Sequence, residues 1–218
     1  MGVALVQPCF FLREIDSYYT RLGGFYLKHH EFVRAVEANP VIAAVKSDEG
    51  LRRCLDTDIG IVFTLYGELG SIEDIVKQIK DAGKIAMVHI DLVNGMQPKE
   101  VSLDFIRNRT EADGIITTKY SLVQHAKNLE LNSVLRMFML DSTSLETLER
   151  YSRQESVQPD VMEILPGTLL PDVIRRANQI CRVPVMASGL ITRKEEIMNA
   201  LKNGAISVST TSEKLWNA

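Results

Sequence analysis

Short runs of β-branched and apolar residues alternate with amphipathic stretches along most of the chain. The apolar runs cover residues 41–45, 59–63, 85–90, 114–117, 134–140, 161–165, 183–187 and 205–209. Each is typical of a buried strand. The stretches between them repeat apolar residues at helical spacing, as at residues 71–81, 99–107, 121–129, 144–151, 171–180 and 193–201. In the first of these, Ser71 is placed to cap a helix whose apolar face begins at Ile72.

This alternation predicts an α/β fold, a compact TIM (β/α)8 barrel. Strands that alternate with helices form parallel sheets, and eight such units favour closure into a barrel. An open doubly wound sheet is the alternative, although no strand is followed by a GxGxxG or P-loop motif. Closure places residues 41–45 beside residues 205–209. It also requires a very short first helix, between Ser47 and Leu55, because the repeating part of the chain is small for this fold.

The first thirty residues do not share this periodicity. A short helical pattern runs from Glu31 to Glu37, and Asn39 followed by Pro40 ends it. We therefore expect residues 1–30 to be an N-terminal extension of unknown order and residues 31–218 to form a single barrel domain.

Composition and charge narrow the range of partners. Twenty-five Lys and Arg against 28 Asp and Glu give a net charge of −3, so contact with a nucleic acid requires a local basic patch. Taken singly, basic pairs such as Arg175 and Arg176 are typical of solvated helix faces. The widely spaced Cys9, Cys54 and Cys181 indicate neither a disulfide framework nor a metal site and favour a reducing cytoplasm. No apolar stretch approaches the roughly 20 residues that span a membrane.

Two loops are candidates for holding phosphate. In barrels of this kind the loops after the seventh and eighth strands commonly bind phosphate. Here Ser188 and Gly189 follow the seventh strand, and Ser209, Thr210 and Thr211 follow the eighth, where we expect the last helix to begin. Gly189 would let the backbone approach an oxyanion, and the hydroxyl residues would supply donors. The alternative is that Gly189 makes a turn and one hydroxyl residue caps the helix.

Ionisable residues stand at the ends of the other strands. Those we single out are Lys46, His89, Asp91, Lys119, Arg136 and Glu163. Period-two alternation places His89 and Asp91 on one strand face and points Glu163 inward. Lys119 or Arg136 could neutralise phosphate, while Glu163, Asp91 or Asp141 could accept hydrogen bonds from ligand hydroxyls. The alternative is an interior ion-pair network, for instance Arg136 with Glu163. No catalytic residue and no metal site is assigned.

Several of these segments resemble one family closely. They are NPVIAAVK at residues 39–46, MVHIDL at 87–92, ADGIITTK at 112–119, EILPG at 163–167, SGLI at 188–191 and VSTT at 208–211. Together they resemble the glycerol-3-phosphate-responsive antiterminators, the GlpP family, over nearly all of residues 31–212. One departure is Ser188, where a second glycine is expected before Gly189.

The resemblance implies a regulator of glycerol metabolism rather than an enzyme. Such a protein binds glycerol 3-phosphate as its effector, needs no cofactor, and acts on leader mRNA so that transcription passes a terminator. We further expect a possible homo-oligomer and no membrane association. The alternative is a barrel enzyme, an isomerase, aldolase or synthase, that uses His89, Lys119 or Glu163 on a small phosphorylated substrate.

Overall fold

Eight parallel strands close into a barrel in chain order, in a computed structural model that describes residues 25–154 and 157–217. The strands are β1 (Val41–Val45), β2 (Ile61–Thr64), β3 (Ile85–His89), β4 (Gly114–Thr117), β5 (Asn132–Phe138), β6 (Val161–Leu165), β7 (Val185–Ser188) and β8 (Val208–Thr210). The predicted closure is confirmed, because Val41 of β1 pairs with Val208 of β8. The backbone amide of Val208 also donates to the carbonyl of Pro40 at 3.0 Å.

Helices follow each of the first seven strands, and one precedes the barrel. They are α1 (Phe25–Ala38), α2 (Asp48–Leu55), α3 (Ile72–Asp81), α4 (Glu100–Arg109), α5 (Val123–Asn128), α6 (Ser142–Ser152), α7 (Pro171–Ile180) and α8 (Lys194–Lys202). None of these described helices is long and apolar enough to cross a bilayer. After β8 the described residues form a short 3-10 turn, Glu213–Leu215, where we expected a final helix to begin.

The first helix is longer than its sequence pattern indicates. It begins at Phe25 rather than Glu31 and ends before Asn39, whose side chain donates to the carbonyl of Ala35 at 2.7 Å. Residues 1–24 of the expected extension lie outside the described residues. Phe32 and Val36 are buried against the apolar interior of the barrel, so α1 closes the end at which the strands begin.

Two apolar layers form the core. The inner layer fills the barrel and is made by Ile42, Ala44, Ile61, Phe63, Met87, Ile116, Val134, Val161 and Met186, with Phe32 and Val36 of α1. The outer layer lies between the strands and the helices, and it includes Val62, Ile75, Ile79, Ile115 and Ile174. Successive strand residues serve opposite layers, which is why the strands are almost wholly apolar.

Two matched ion pairs fasten helices to strands at the end where the strands begin. Lys80 of α3 contacts Asp113 at 2.6 Å, and Lys127 of α5 contacts Asp160 at 3.0 Å, each pair 33 residues apart. Both aspartates also accept a backbone amide 27 residues earlier, Asp113 from Ala86 and Asp160 from Ser133. Each carboxylate therefore holds two successive βα units in register.

Local boundaries differ from the sequence pattern in three instructive places. Ser71 precedes α3 as expected, but its side chain makes no capping bond and contacts the backbone of Glu68 instead. Helix α5 begins at Val123 because residues 120–122 form a 3-10 turn. Strand β5 begins at Asn132, before its apolar run, since the Asn132 side chain donates to the carbonyl of Asp113 at 2.8 Å.

Candidate functional site

A layer of buried polar side chains lies inside the barrel at the C-terminal ends of the strands. Five strands contribute to it: His89 comes from β3, Arg136 from β5, Glu163 from β6, Ser188 from β7 and Ser209 from β8. Burying a polar group in an otherwise apolar core costs free energy unless the group is hydrogen-bonded or ion-paired. This layer, which we call the polar layer, is therefore the strongest candidate for a functional site.

The centre of the polar layer is an ion pair. Arg136 Nε donates to Glu163 Oε2 at 2.6 Å, and Arg136 Nη2 donates to Glu163 Oε1 at 3.2 Å. The two residues are register partners on adjacent strands, so their side chains leave the same face of the sheet. Glu163 points inward as predicted, and the interior pair of Arg136 with Glu163, the alternative offered by the sequence, is present.

The charge of Arg136 decides the ionisation of Glu163. Complete burial by itself raises the pKa of the Glu163 carboxyl. The neighbouring guanidinium, with its hydrogen bonds and that of Ser188, outweighs burial and leaves the pKa of Glu163 below its ordinary value. Glu163 is therefore a carboxylate near neutral pH.

Both serines of the polar layer are bound to this carboxylate. Ser188 Oγ and Ser209 Oγ both lie within hydrogen-bond distance of Glu163 Oε1, the latter at 3.1 Å, and they also contact each other. Each hydroxyl has one proton, so two of these three contacts are donated at a time. Glu163 Oε1 thus has three donor side chains around it, the third being Arg136. The serine that stands where the resemblance led us to expect glycine has a structural use here: it links β7 to Glu163 and Ser209.

His89 is buried beside the ion pair and lacks a partner for one nitrogen. Its Nδ1 is fully buried with no hydrogen bond, and the residue is 2% exposed. Burial, followed by the positive charge of Arg136, lowers the pKa of His89 to about 4, so the imidazole is neutral near pH 7. An unpartnered buried nitrogen in a polar layer suits an imidazole that binds a hydroxyl group of a ligand.

Asp91 serves a different part of the structure from His89. Strand β3 ends at His89, and Asp91 lies in the 3-10 turn Ile90–Leu92, so the expected strand alternation does not extend to it. Its carboxylate accepts from Thr117 Oγ1 at 2.8 Å and from the Thr118 amide and hydroxyl at 2.8 and 2.7 Å. Asp91 therefore fastens the loop after β3 to the end of β4.

Three nitrogen donors around the polar layer, two of them on unpaired lysines, have no partner within the described residues. Lys46 follows β1 and Lys119 follows β4; both are exposed, and neither side chain makes an ion pair or hydrogen bond within residues 25–154 and 157–217. Arg136 uses Nε and Nη2 for Glu163, while its Nη1 has no partner among the same residues. Asp141, the remaining candidate carboxylate, caps α6 by accepting from the Ser144 amide.

The loop after β7 has an unusual backbone. Gly189 and Leu190 are consecutive left-handed residues, with φ of 79° and 59°. The carbonyl of Gly189 accepts from the Gly167 amide at 2.9 Å, whereas the amide of Leu190 has no acceptor in the described part of the chain. Consecutive backbone amides in such a turn form a concave surface for anions. Leucine at a positive φ is a feature that the sequence pattern did not indicate.

The loop after β8 is held in place by Thr210. Thr210 Oγ1 donates to the Ile191 carbonyl at 2.7 Å and accepts from the Ser212 amide at 3.0 Å, and the Trp216 indole donates to the Thr210 carbonyl. The Thr210 hydroxyl therefore joins the two candidate phosphate loops. Thr211 is exposed at the same loop. Because only a 3-10 turn follows, a helix dipole contributes little at this point.

Metal ligands are not assembled anywhere in the described residues: no group of three His, Cys, Asp or Glu side chains there is arranged to share an ion. Cys54 and Cys181 are buried and unpaired, and burial raises the pKa of their thiols to about 11 and about 12. The chain is thus a small (β/α)8 barrel with one buried ion-pair cluster, flanked by unpaired cations, at the C-terminal ends of its strands.

Comparison with known proteins identifies the family. Residues 41–216 match the family described as glycerol-3-phosphate responsive antiterminator, and the chain belongs to that family. The Escherichia coli K12 protein YgcP, itself described as uncharacterized, is 39% identical over 178 residues, which are 82% of this chain and 92% of YgcP.

Two crystal structures share this fold, one of an antiterminator regulatory protein and one of an antiterminator-related protein. The glycerol uptake operon antiterminator regulatory protein of Listeria monocytogenes is 29% identical, with a TM-score of 0.74 over 81% of this chain and 94% of that one. A glycerol uptake operon antiterminator-related protein of Thermotoga maritima is 32% identical, with a TM-score of 0.72 over 83% and 99%. The resemblance found in the sequence motifs is confirmed.

Proposed function

We propose that this protein senses glycerol 3-phosphate in the mouth of the barrel and, with that ligand bound, acts on the leader RNA of glycerol-metabolism operons in the cytoplasm. The observation that carries the proposal is the uncompensated positive charge around the polar layer. Lys46 and Lys119 are cations without a carboxylate of their own, and Arg136 Nη1 is a further donor on a guanidinium whose charge Glu163 compensates. The ligand has a dianionic phosphate and two hydroxyls.

The two ends of the ligand differ in what they need. The phosphate suits Lys46 or Lys119 together with the backbone amides after Gly189 and around Thr211. The glycerol hydroxyls suit the neutral His89 and the edge of the polar layer. Ser188, Ser209 and Glu163 then chiefly form the rigid bottom of the ligand site, because they already hydrogen-bond to one another.

A regulatory role is favoured over catalysis by the state of the polar layer. A general acid or base works best with a pKa near the working pH. Glu163 is held ionised by Arg136 and is saturated with donors, and the pKa of His89 is lowered to about 4. Both groups are set for binding and support rather than for moving protons at neutral pH.

The test has a binding arm and a chemical arm. Glycerol 3-phosphate should raise the melting temperature of the protein, since a ligand at one hundred times its Kd stabilises the folded state by about 2.7 kcal/mol. Glycerol and inorganic phosphate at equal concentration serve as controls and should do little. Phosphorus NMR after prolonged incubation should show the ligand unchanged; its conversion to a product would overturn the regulatory role.

The RNA arm uses a leader transcript from a glycerol-metabolism operon of the same genome. The proposal expects binding that strengthens when glycerol 3-phosphate is present. If the protein binds no RNA with or without glycerol 3-phosphate but still shows a clear ligand-induced melting shift, it binds the ligand but is not an antiterminator that acts on this RNA. Sedimentation with and without RNA determines whether the binding species is the homo-oligomer that we expect.

A further inference from the structure

One side of the barrel carries exposed cations without carboxylate partners. Arg150 of α6, Arg176 of α7, Arg182 after α7 and Lys202 at the end of α8 are all exposed. None of them forms an ion pair within residues 25–154 and 157–217. We call these four residues the basic face. Three of them lie on the successive helices α6, α7 and α8, and Arg182 follows α7. Helix α6 packs against α7, and α7 packs against α8.

The basic face is a continuous surface. Arg175 of α7 donates from Nη1 to Asn203, the residue directly after Lys202, so the end of α8 is tied to the middle of α7. Gly204 approaches α7 so closely that a Cβ atom would lie 2.8 Å from Asn178. The carboxylates of α7 and α8 lie in the first turns of these helices, at Asp172, Glu195 and Glu196. The C-terminal halves of α7 and α8 are therefore basic without acidic compensation.

Cations elsewhere on the barrel are only partly paired. Lys99 and Lys194 are exposed and form no ion pair within the described residues. Other cations contact a carboxylate within 3.0 Å, namely Arg53, Lys77, Lys80 and Lys127. Because the chain as a whole carries a charge of −3, the four adjoining unpaired cations of the basic face make a local positive region on a weakly negative molecule.

An aromatic stack borders the basic face. The Arg150 guanidinium carbon lies 5.5 Å from the centre of the Tyr151 ring, and Tyr151 stacks on Tyr120 with ring centres 4.4 Å apart and an angle of 14°. Arginine planes and aromatic rings together are the surfaces on which unpaired bases stack, while neighbouring cations hold the phosphates.

We propose that the basic face is the RNA-binding surface of this protein. The inference rests on the proposed function, which supplies the RNA, and adds where that RNA binds. The four cations belong to the outer helices and to the segment after α7, whereas Lys46, Lys119 and the polar layer stand at the C-terminal ends of the strands. The ligand and the RNA therefore occupy separate sites and bind at the same time.

The experiment compares two charge reversals of equal size. The test variant is Arg176→Glu/Lys202→Glu on the basic face. The control is Arg34→Glu/Arg109→Glu, which reverses two exposed cations on α1 and α4, away from the candidate phosphate loops. Affinity for the leader RNA is measured by fluorescence anisotropy over a range of salt concentrations. The test variant should lose affinity tenfold or more, with a salt slope reduced by about one for each phosphate contact removed, while the control stays within about twofold.

Each other outcome has a defined meaning. Equal losses in both variants would show a diffuse charge effect, and unchanged affinity in the test variant would place the RNA elsewhere; both overturn the proposal. A changed oligomeric state with unchanged RNA affinity would make the face a contact between copies of the chain. The melting shift with glycerol 3-phosphate should persist in both variants. If the wild-type protein binds ligand but no RNA, the proposed function fails along with this inference.

Discussion

Arg136 and Glu163 form a buried ion pair between adjacent strands, with 2.6 Å between Arg136 Nε and Glu163 Oε2. The two side chains are 8% and 0% exposed, so water compensates neither charge. Replacing both members of such a pair by apolar residues changes the free energy of unfolding little, whereas removing one member leaves a buried, uncompensated charge and is strongly destabilising. This asymmetry makes the pair testable.

Arg136→Met should be strongly destabilising because it leaves Glu163 ionised and buried without a counter-charge. We expect a loss of about 3–5 kcal/mol in the free energy of unfolding, measured by urea titration near neutral pH. The double variant Arg136→Met/Glu163→Leu removes both charges and should lose less than Arg136→Met alone. A larger loss in the double variant would contradict this account of the pair.

Stability should fall with pH through the His89 imidazole. The pKa of His89 is lowered to about 4 in the folded protein, whereas an imidazole in the unfolded chain titrates near 6.5. Between these values the unfolded state binds more protons, so stability is lost as the pH falls from about 6.5 to about 4. The loss attributable to this residue amounts to at most about 3 kcal/mol.

The comparison that isolates His89 uses His89→Gln, which cannot titrate. Chemical unfolding of both proteins at pH 7 and pH 5 should show a smaller decrease in the variant. Parallel decreases would mean that other groups cause the acid sensitivity.

Gly114→Ala should destabilise the barrel through steric overlap. A Cβ atom at this position would lie 2.3 Å from the carbonyl oxygen of Asn132 on the neighbouring strand, and backbone cannot yield as a side chain can. We expect a loss of roughly 1–3 kcal/mol or more. Gly70→Ala is the matched control, because nothing lies within 4 Å of its Cβ position. Thermal unfolding of both variants provides the measurement, and similar melting temperatures would contradict the prediction.

Thr211→Glu should abolish the melting shift produced by glycerol 3-phosphate. Thr211 is exposed beside Thr210 and Ser212, and a carboxylate there would repel a phosphate held by this loop. The melting temperature without ligand should change little. Asn108→Glu, an exposed position at the end of α4, adds the same charge elsewhere and should keep the full shift. A full shift in Thr211→Glu would place the phosphate at another loop.

Much of the barrel could be predicted because its periodicity is strong. Strands β1, β4 and β6 have the predicted bounds, since each is a buried apolar run flanked by turn residues. The start of β5 was misplaced because Asn132 is polar and joins the strand through a side-chain bond to the neighbouring loop. Local pattern cannot detect a contact between residues far apart in sequence.

In the candidate site, too, features set by local sequence could be predicted and features set by long-range contacts could not. Alternation in β6 was enough to point Glu163 inward. The hydrogen bonds that bring Ser188 and Ser209 to Glu163 depend on the register of β6, β7 and β8 relative to one another. The sequence pattern does not specify this register. Leu190 was missed because a leucine gives no local signal for a left-handed backbone.

Closing the barrel joins positions that are far apart in the chain. Ser207 Oγ donates to the carbonyl of Asn39, 168 residues earlier, whereas Lys80 with Asp113 and Lys127 with Asp160 bridge 33 residues each. Ordering a long loop costs more entropy than ordering a short one, so we expect contacts within neighbouring βα units to form before β1 meets β8. Until that last meeting, β1 and β8 are open sheet edges on which two chains can pair. Refolding yield should accordingly fall as protein concentration rises.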